Sequence, residues 1–219
     1  MNNVYLIEWP DSYTEDIFSK DLYNSHDEKQ YVKRFKKNND RVAHLLSRSY
    51  VRKFSAEILG IPPMPLSIAT TSYGRPFLSD YKSELDFNIS HSGNIVAITI
   101  SNDGLTGIDI EKIQSIDFNE INIFTPEELN YIGLDKDIDS RRFFLVWTAI
   151  EAYSKMLGMG LSEQLKNRIF MPLGGQKISY KCNGKDAIVH LNESGKKYML
   201  AVATNKHNTS ISIKHISLN

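Results

Sequence analysis

The chain has 219 residues, 41% of them hydrophobic, which is enough to bury one large core or two small ones. Its 26 Lys/Arg balance 26 Asp/Glu, which excludes a generally basic, nucleic-acid-like protein, and a single cysteine, Cys182, excludes an intrachain disulfide or a cysteine-rich zinc site. The first residues lack the charged-then-apolar plan of a secretion signal, and no apolar run approaches the ~20 residues of a membrane span, so the expectation is a cytoplasmic protein with no membrane partner.

Residues 4–9 read as a short strand. Residues 27–59 read as helix, in two pieces broken near Asn38-Asn39-Asp40. Leu45, Leu46, Tyr50, Phe54, Ile58 and Leu59 occupy one side of it, and Arg41, His44, Arg48 and Arg52 mark another. Within 29–53, nine Lys/Arg stand against one acid, Asp40, while the rest of the chain holds 17 basic and 25 acidic residues. A solvated helix face has this composition, but the asymmetry also suits a local anionic ligand; one basic helix without a reading motif does not make a nucleic-acid binder. Gly60-Ile-Pro-Pro-Met-Pro65 ends the helix. Strands are expected at 66–71, 87–90 and 94–101, separated by turns at Tyr73-Gly74-Arg75-Pro76 and Ser92-Gly93-Asn94.

Gly107-Ile-Asp109-Ile-Glu111 alternates apolar and acidic residues, so a strand sends Ile108 and Ile110 to one face and Asp109 and Glu111 to the other. Such a pair is either an ordinary solvated strand face or a set of hard oxygen ligands suited to Mg²⁺ or Mn²⁺. Thr125-Pro126-Glu127-Glu128 opens a helix with threonine as N-cap and Glu128 closing a capping box. A longer helix runs from Asp139 or Ser140 to Leu157 and stops at Gly158. Strands follow at 176–182, 186–191, 197–204 and 209–217, with Asn183-Gly184 as a tight hairpin. The plan is α+β, each half being helices packed on a mainly antiparallel sheet, divided near Asn102-Asp103-Gly104 into residues 1–102 and 103–219.

On the longer helix, Trp147, Glu151 and Lys155 follow i, i+4, i+8 and fall within an arc of roughly 80°. A surface Glu–Lys pair there contributes only about 0.2–0.5 kcal/mol. Phe143, Phe144 and Val146 make the helix apolar around much of its circumference, so Glu151 and Lys155 need partners other than water.

Taken in order, Gly74-Arg75-Pro76, Phe87-Asn-Ile-Ser90-His91-Ser92, Gly107-Ile-Asp109-Ile-Glu111, Phe124-Thr-Pro-Glu-Glu128-Leu, Trp147-Thr-x-x-Glu151-Ala-x-x-Lys155 and Gly158-x-Gly160-Leu161 resemble the Sfp-type 4′-phosphopantetheinyl transferases. The resemblance runs from about Lys29 to Leu161 and more loosely beyond. It implies two pseudo-symmetric α+β halves with the active site in the cleft between them. It also implies transfer of 4′-phosphopantetheine from coenzyme A, the co-substrate, to a serine of an apo acyl or peptidyl carrier protein, with release of adenosine 3′,5′-bisphosphate. Asp109, Glu111 and Glu151 resemble the ligands of Mg²⁺, with Mn²⁺ as the alternative. Ser90 and His91 resemble the pair on the nucleotide's phosphate, Lys155 the pyrophosphate lysine, and Arg75 stands where the family usually has lysine. Lys29, Lys33, Arg41, Arg48 and Arg52 are candidates for the remaining phosphates. The loop at Gly158–Leu161 resembles the carrier-receiving region, and a monomer is implied.

Within that resemblance Glu151, directly or through a water, is the first choice of general base and Glu128 the second, while Lys155 and His91 stabilise the departing phosphate. His91 alone also fits a structural histidine, and Glu128 already has a capping job. The family's lysine before the helix glutamate is replaced by Ile150, beside the Trp147–Glu151 stripe, which motivates one alternative, a non-catalytic coenzyme A- or carrier-binding module; a metal-dependent phosphate-ester hydrolase using the same acids is the other.

Overall fold

A computed structural model describes residues 1–14, 22–64, 66–116, 123–133, 140–161, 165, 167–195 and 197–218. Pro65 and Asp139, named above at two boundaries, lie outside the described residues. The chain forms two compact units, Met1–Asp103 with Ser210–Asn219, and Gly104–Thr209.

In the first unit, β1 (Asn2–Glu8), β4 (Asp86–Ser92), β5 (Ile95–Ser101) and β11 (Ile211–Ser217) form a sheet in the order β11-β1-β5-β4. Period-two alternation puts Tyr5, Ile7, Phe87, Val96, Ile98 and Ile100 into one core cluster with Val42, Leu46, Val51 and Phe54 of helix α2 (Asn38–Leu59). Tyr5 stacks on Phe54 with ring centroids 3.7 Å apart. The preceding helix α1 (His26–Tyr31) starts in a capping box: the Ser25 hydroxyl accepts from the Glu28 amide, and the Glu28 carboxylate accepts from the Ser25 amide. A 3-10 turn at Val32–Arg34 then interrupts the helix. The expected break at Asn38-Asn39-Asp40 is therefore displaced; those residues are the first turn of α2, a position that Asn and Asp favour. Gly60, at φ 68°, ends it.

The final strand departs from the sequence-level division. Residues 210–219 were assigned with the second half, but β11 runs parallel to β1, with Tyr5 opposite Lys214 and Ile7 opposite Ile216. Outer strands of the first sheet are thus not wholly antiparallel. β2 (Ile68–Thr70) and β3 (Pro76–Leu78), the latter unpredicted, form a small hairpin about Gly74.

The second unit carries an antiparallel sheet in the order β6-β10-β9-β8-β7, from β6 (Thr106–Lys112), β7 (Ile169–Gly174), β8 (Lys177–Cys182), β9 (Lys185–Ser194) and β10 (Tyr198–Thr204). Asn183 at φ 50° and Gly184 at φ 73° make the expected tight turn between β8 and β9. Helix α3 (Pro126–Ile132) has the expected Thr125 capping box, and α4 (Ser140–Leu157) packs on β6 and β10. Among the described residues, no helix is long and apolar enough to cross a membrane.

Candidate active site

The closest approach of helix to strand in the second unit is at Gly107. Gly107, Asp109 and Glu111 share one face of β6, and their partners on β10 include Ala203 and Ala201, both small. A methyl group on Gly107 would collide with the Ala152 carbonyl oxygen and lie within 2.5 Å of the Met156 amide nitrogen. Glycine there lets α4 lie directly on the strand. The consequence is an ion pair, because Lys155, one residue before Met156, places its Nζ 2.6 Å from Asp109 Oδ1. The Asp109 side chain is 3% exposed and that of Lys155 is 30% exposed, so the carboxylate is interior and the ammonium reaches water. Glu111 and Glu151 are half-buried, on β6 and one turn before Lys155 on α4.

The three expected metal ligands therefore occupy the expected strand and helix. They are not drawn together as a cage: among the described residues, no three His, Cys, Asp or Glu side chains stand in a metal-holding arrangement. Carboxylates repel one another until a cation compensates. Two features nevertheless fit a divalent cation: hard oxygen donors on neighbouring elements, and a positive charge, the Lys155 ammonium, already seated against buried Asp109.

Two other positions on this unit are interior. Ile150 is completely buried in the core cluster with Phe143, Val146, Tyr153 and Leu191. Trp147 is half-buried against Phe143 and Phe124 and shapes the helix end of the core.

Glu128 is the second. Its carboxylate accepts from the Thr125 amide at 2.8 Å and from Arg168 Nε at 2.7 Å, and a further bond comes from Arg168 Nη2. Arg168 also donates to the carbonyls of Leu165 and Ile123. Glu128 is 0% exposed. Burial, with the Glu128 charge adding to it, pushes the nearby Tyr180 hydroxyl well above its ordinary range. A carboxylate with both oxygens occupied and no access to solvent is a structural group, and the geometry does not favour it as a base. Sequence inspection missed Arg168 altogether; a lone arginine before a strand gives no signal of burial.

In the first unit, the Ser90–His91 segment ends β4. Residues 87, 89 and 91 share a strand face, so His91 follows Phe87 and Ile89 on the α2 side, but at the exposed end. There it is electrostatically coupled to His44 of α2. Burial pushes His44 down to about 4, with Arg48 and His91 adding to the effect and Glu28 opposing it. His44 also packs with the rings of Tyr31 and Phe35. Its place in the constellation went unrecognised in the sequence, where it was only one residue of a polar helix face.

The basic residues of 29–53 do not form a uniform group. Arg52 donates two bonds of 2.9 Å to Glu28 and one of 2.8 Å to the Leu66 carbonyl, a structural role. Burial alone would raise Glu28, but the Arg52 contacts and the Ser25 amide bring it below its usual range. Arg41 donates to the Phe35 carbonyl at 2.9 Å, and Lys29 and Lys33 are exposed. Arg75 is paired with Asp86 at 2.7 Å. Arg48 differs from these. Burial, with Arg52 adding, depresses its guanidinium below the usual range, and its Nη1 is buried without a hydrogen-bond partner. An interior cation with an unmet donor is suited to an anion.

At the end of α4, Gly158 (φ 67°) turns the chain into the Met159-Gly160-Leu161 loop, in which Leu161 is exposed. A cavity of about 60 Å³ lies against this loop, lined by Leu157, Met159, Leu165, Cys182, Asn183 and Lys185.

Comparison with known proteins agrees with this layout. Residues 8–103 match the family described as 4′-phosphopantetheinyl transferase, N-terminal, and residues 106–207 match the 4′-phosphopantetheinyl transferase superfamily. The 4′-phosphopantetheinyl transferase gsp of Aneurinibacillus migulanus is 30% identical, over 86% of this chain and 79% of its own length. The 4′-phosphopantetheinyl transferase Sfp of Bacillus subtilis is 29% identical, over 63% of this chain and 62% of its own. The L-aminoadipate-semialdehyde dehydrogenase-phosphopantetheinyl transferase of Schizosaccharomyces pombe is 31% identical, over 70% and 66%.

Proposed function

Because the chain belongs to the 4′-phosphopantetheinyl transferase superfamily, we propose how its own residues carry out the transfer from coenzyme A to a carrier-protein serine. The observation that carries the proposal is the Lys155–Asp109 pair, set by Gly107 on the acidic face of β6. Asp109, Glu111 and Glu151 would hold Mg²⁺ or Mn²⁺, which when bound supplies fixed positive charge against the pyrophosphate.

Glu151, half-exposed on α4, takes the proton of the carrier serine, a role that passes to it alone now that Glu128 is enclosed. A relay through one water is chemically easier than direct transfer for a carboxylate sharing a cation. The serine oxygen forms a bond to the β-phosphorus, and the bond from that phosphorus to the bridging oxygen breaks. The electron pair leaves with adenosine 3′,5′-bisphosphate. Lys155 offsets the negative charge that grows on the leaving phosphate, and fixed charge of this kind stabilises it without reorganisation. In the first unit, Arg48, with His44 and His91 beside it, is the candidate phosphate-binding group, while Ser90, Lys29, Lys33, Arg41 and Arg75 provide further polar and cationic groups. The Met159–Leu161 loop receives the carrier.

We read the protein as a cytoplasmic monomer acting on apo acyl or peptidyl carriers. The non-catalytic alternative rests on Ile150, whose side chain is buried in the core cluster. Incubation with coenzyme A, Mg²⁺ and an apo carrier should add one phosphopantetheine to the carrier's mass. Asp109→Ala should reduce that transfer about a hundredfold to a thousandfold, the loss typical of a removed electrostatic catalyst. Wild-type turnover by Asp109→Ala at saturating Mg²⁺ refutes the assignment.

A further inference from the structure

We infer that Lys155 is the resident counter-ion of the metal-free site: it neutralises Asp109 until a divalent cation takes over that carboxylate, and only then is its ammonium released to substrate phosphate. This rests on the reading that Asp109, Glu111 and Glu151 are the metal ligands.

The argument begins with a cost. Burying a carboxylate that is only 3% exposed is costly unless a cation pairs with it, and Lys155 Nζ at 2.6 Å does so. The pairing is built into the fold, since Gly107 brings the Ala152–Met156 turn of α4 onto the strand that bears Asp109. The Lys155 side chain is 30% exposed, and its four-carbon stem can turn toward water or a ligand. A divalent cation on Asp109 would repel an ammonium on the same carboxylate, so the two compete for it.

Two consequences follow, and they have opposite signs. Without coenzyme A, Lys155 weakens metal binding, because its pairing with Asp109 must be broken first. With coenzyme A, phosphate gives the displaced ammonium a new partner, so substrate and metal strengthen each other's binding reciprocally. A lysine that served only as a phosphate ligand would leave substrate-free metal affinity unchanged.

The test is Mn²⁺ binding, followed by electron paramagnetic resonance of the free ion, with and without coenzyme A. Without coenzyme A, Lys155→Met should bind Mn²⁺ roughly tenfold more tightly than wild type, as removal of a nearby positive charge predicts. Lys155→Arg, which retains the cation, should stay near wild type. Adding coenzyme A should tighten Mn²⁺ binding in wild type far more than in Lys155→Met. Because removing Lys155 exposes the fold to an uncompensated Asp109, the melting temperature of Lys155→Met is measured in parallel; it should fall in chelator and be restored by Mn²⁺. Equal or weaker substrate-free Mn²⁺ binding by Lys155→Met overturns the inference while leaving the metal assignment standing. Binding by wild type no better than by Asp109→Asn overturns the assignment itself, and the inference with it.

Discussion

The two units solve one problem in the same way and then diverge. In each, a short helix opens with a capping box whose glutamate is clamped by an arginine: Ser25 and Glu28 with Arg52, and Thr125 and Glu128 with Arg168. Each unit also contains as many Lys/Arg as Asp/Glu. What remains once the clamp is made differs. The first unit is left with a partly buried cation, Arg48, whose Nη1 has no hydrogen-bond partner. The second is left with an interior anion, Asp109, held by a lysine that reaches solvent. Under the proposed assignment, residual charge at two places rather than net charge carries the function: a cation for phosphate in one unit and an anion for a metal ion in the other.

The clamps give the largest expected effect on stability and the most direct way to break the comparison. Glu128 is 0% exposed, whereas the Glu28 side chain retains 15%. Removing one partner of a fully buried pair strands a charge and costs about 3–5 kcal/mol, so Glu128→Gln should lose that much stability in urea unfolding. Glu28→Gln, where the altered side chain is itself part-exposed and Arg52 keeps its bond to the Leu66 carbonyl, should lose about 1.5 kcal/mol, the lower end for a charged hydrogen bond. Equal losses would mean that the resemblance of the two clamps is only formal. At a temperature where Glu128→Gln remains folded, its transfer rate should match wild type; a loss at that temperature would return Glu128 to the chemistry.

Arg48 sharpens the contrast from the other side, with a smaller effect. Arg48→Met should raise the dissociation constant for coenzyme A about tenfold to a hundredfold, the equivalent of one charge-assisted hydrogen bond at about 1.5–3 kcal/mol. Stability without ligand should stay level or rise, because an interior cation short of partners is replaced by an apolar side chain of similar length. Isothermal titration and thermal unfolding measure the two signs separately. If stability and affinity fell together, Arg48 would be a structural residue like Arg52.

The sequence was most legible where a residue's role is local. Thr125 and Glu128, Asn183 and Gly184, and the alternation of Ile108 and Ile110 with Asp109 and Glu111 all act within a few positions, and each element formed as read. Contacts between distant segments were not legible. Glu28 and Arg52 lie 24 positions apart and Glu128 and Arg168 lie 40 apart, so the repeated clamp has no sequence period. Likewise β11 follows a run of antiparallel strands, and nothing local in 211–217 distinguishes one sheet from the other. The spacing of Lys155 was read correctly, but its partner Asp109 depends on the close approach at Gly107, a property of packing rather than of spacing.

His44 provides the smallest and most selective prediction. Its imidazole is held neutral down to about 4, first by burial and then by Arg48 and His91, with Glu28 pulling the other way. In the unfolded chain it would titrate near its ordinary value of about 6.5. Between those two values the unfolded state binds a proton that the folded state refuses. Stability contributed by neutral His44 is thus fully present above about 6.5 and is lost as pH falls toward about 4. His44→Gln should flatten the acid side of a urea-midpoint profile in that window and leave it unchanged at pH 8. Coenzyme A should have a similar effect on the wild-type profile, because a phosphate beside Arg48 and His44 offsets the positive charge that disfavours the imidazolium and raises the folded value. That shift would not occur in Arg48→Met if Arg48 is the group that brings phosphate to this end of α2. A coenzyme A-dependent flattening that persists in Arg48→Met would mean that groups other than Arg48 bring the phosphate to His44, and would erase the distinction between the two units' residual charges.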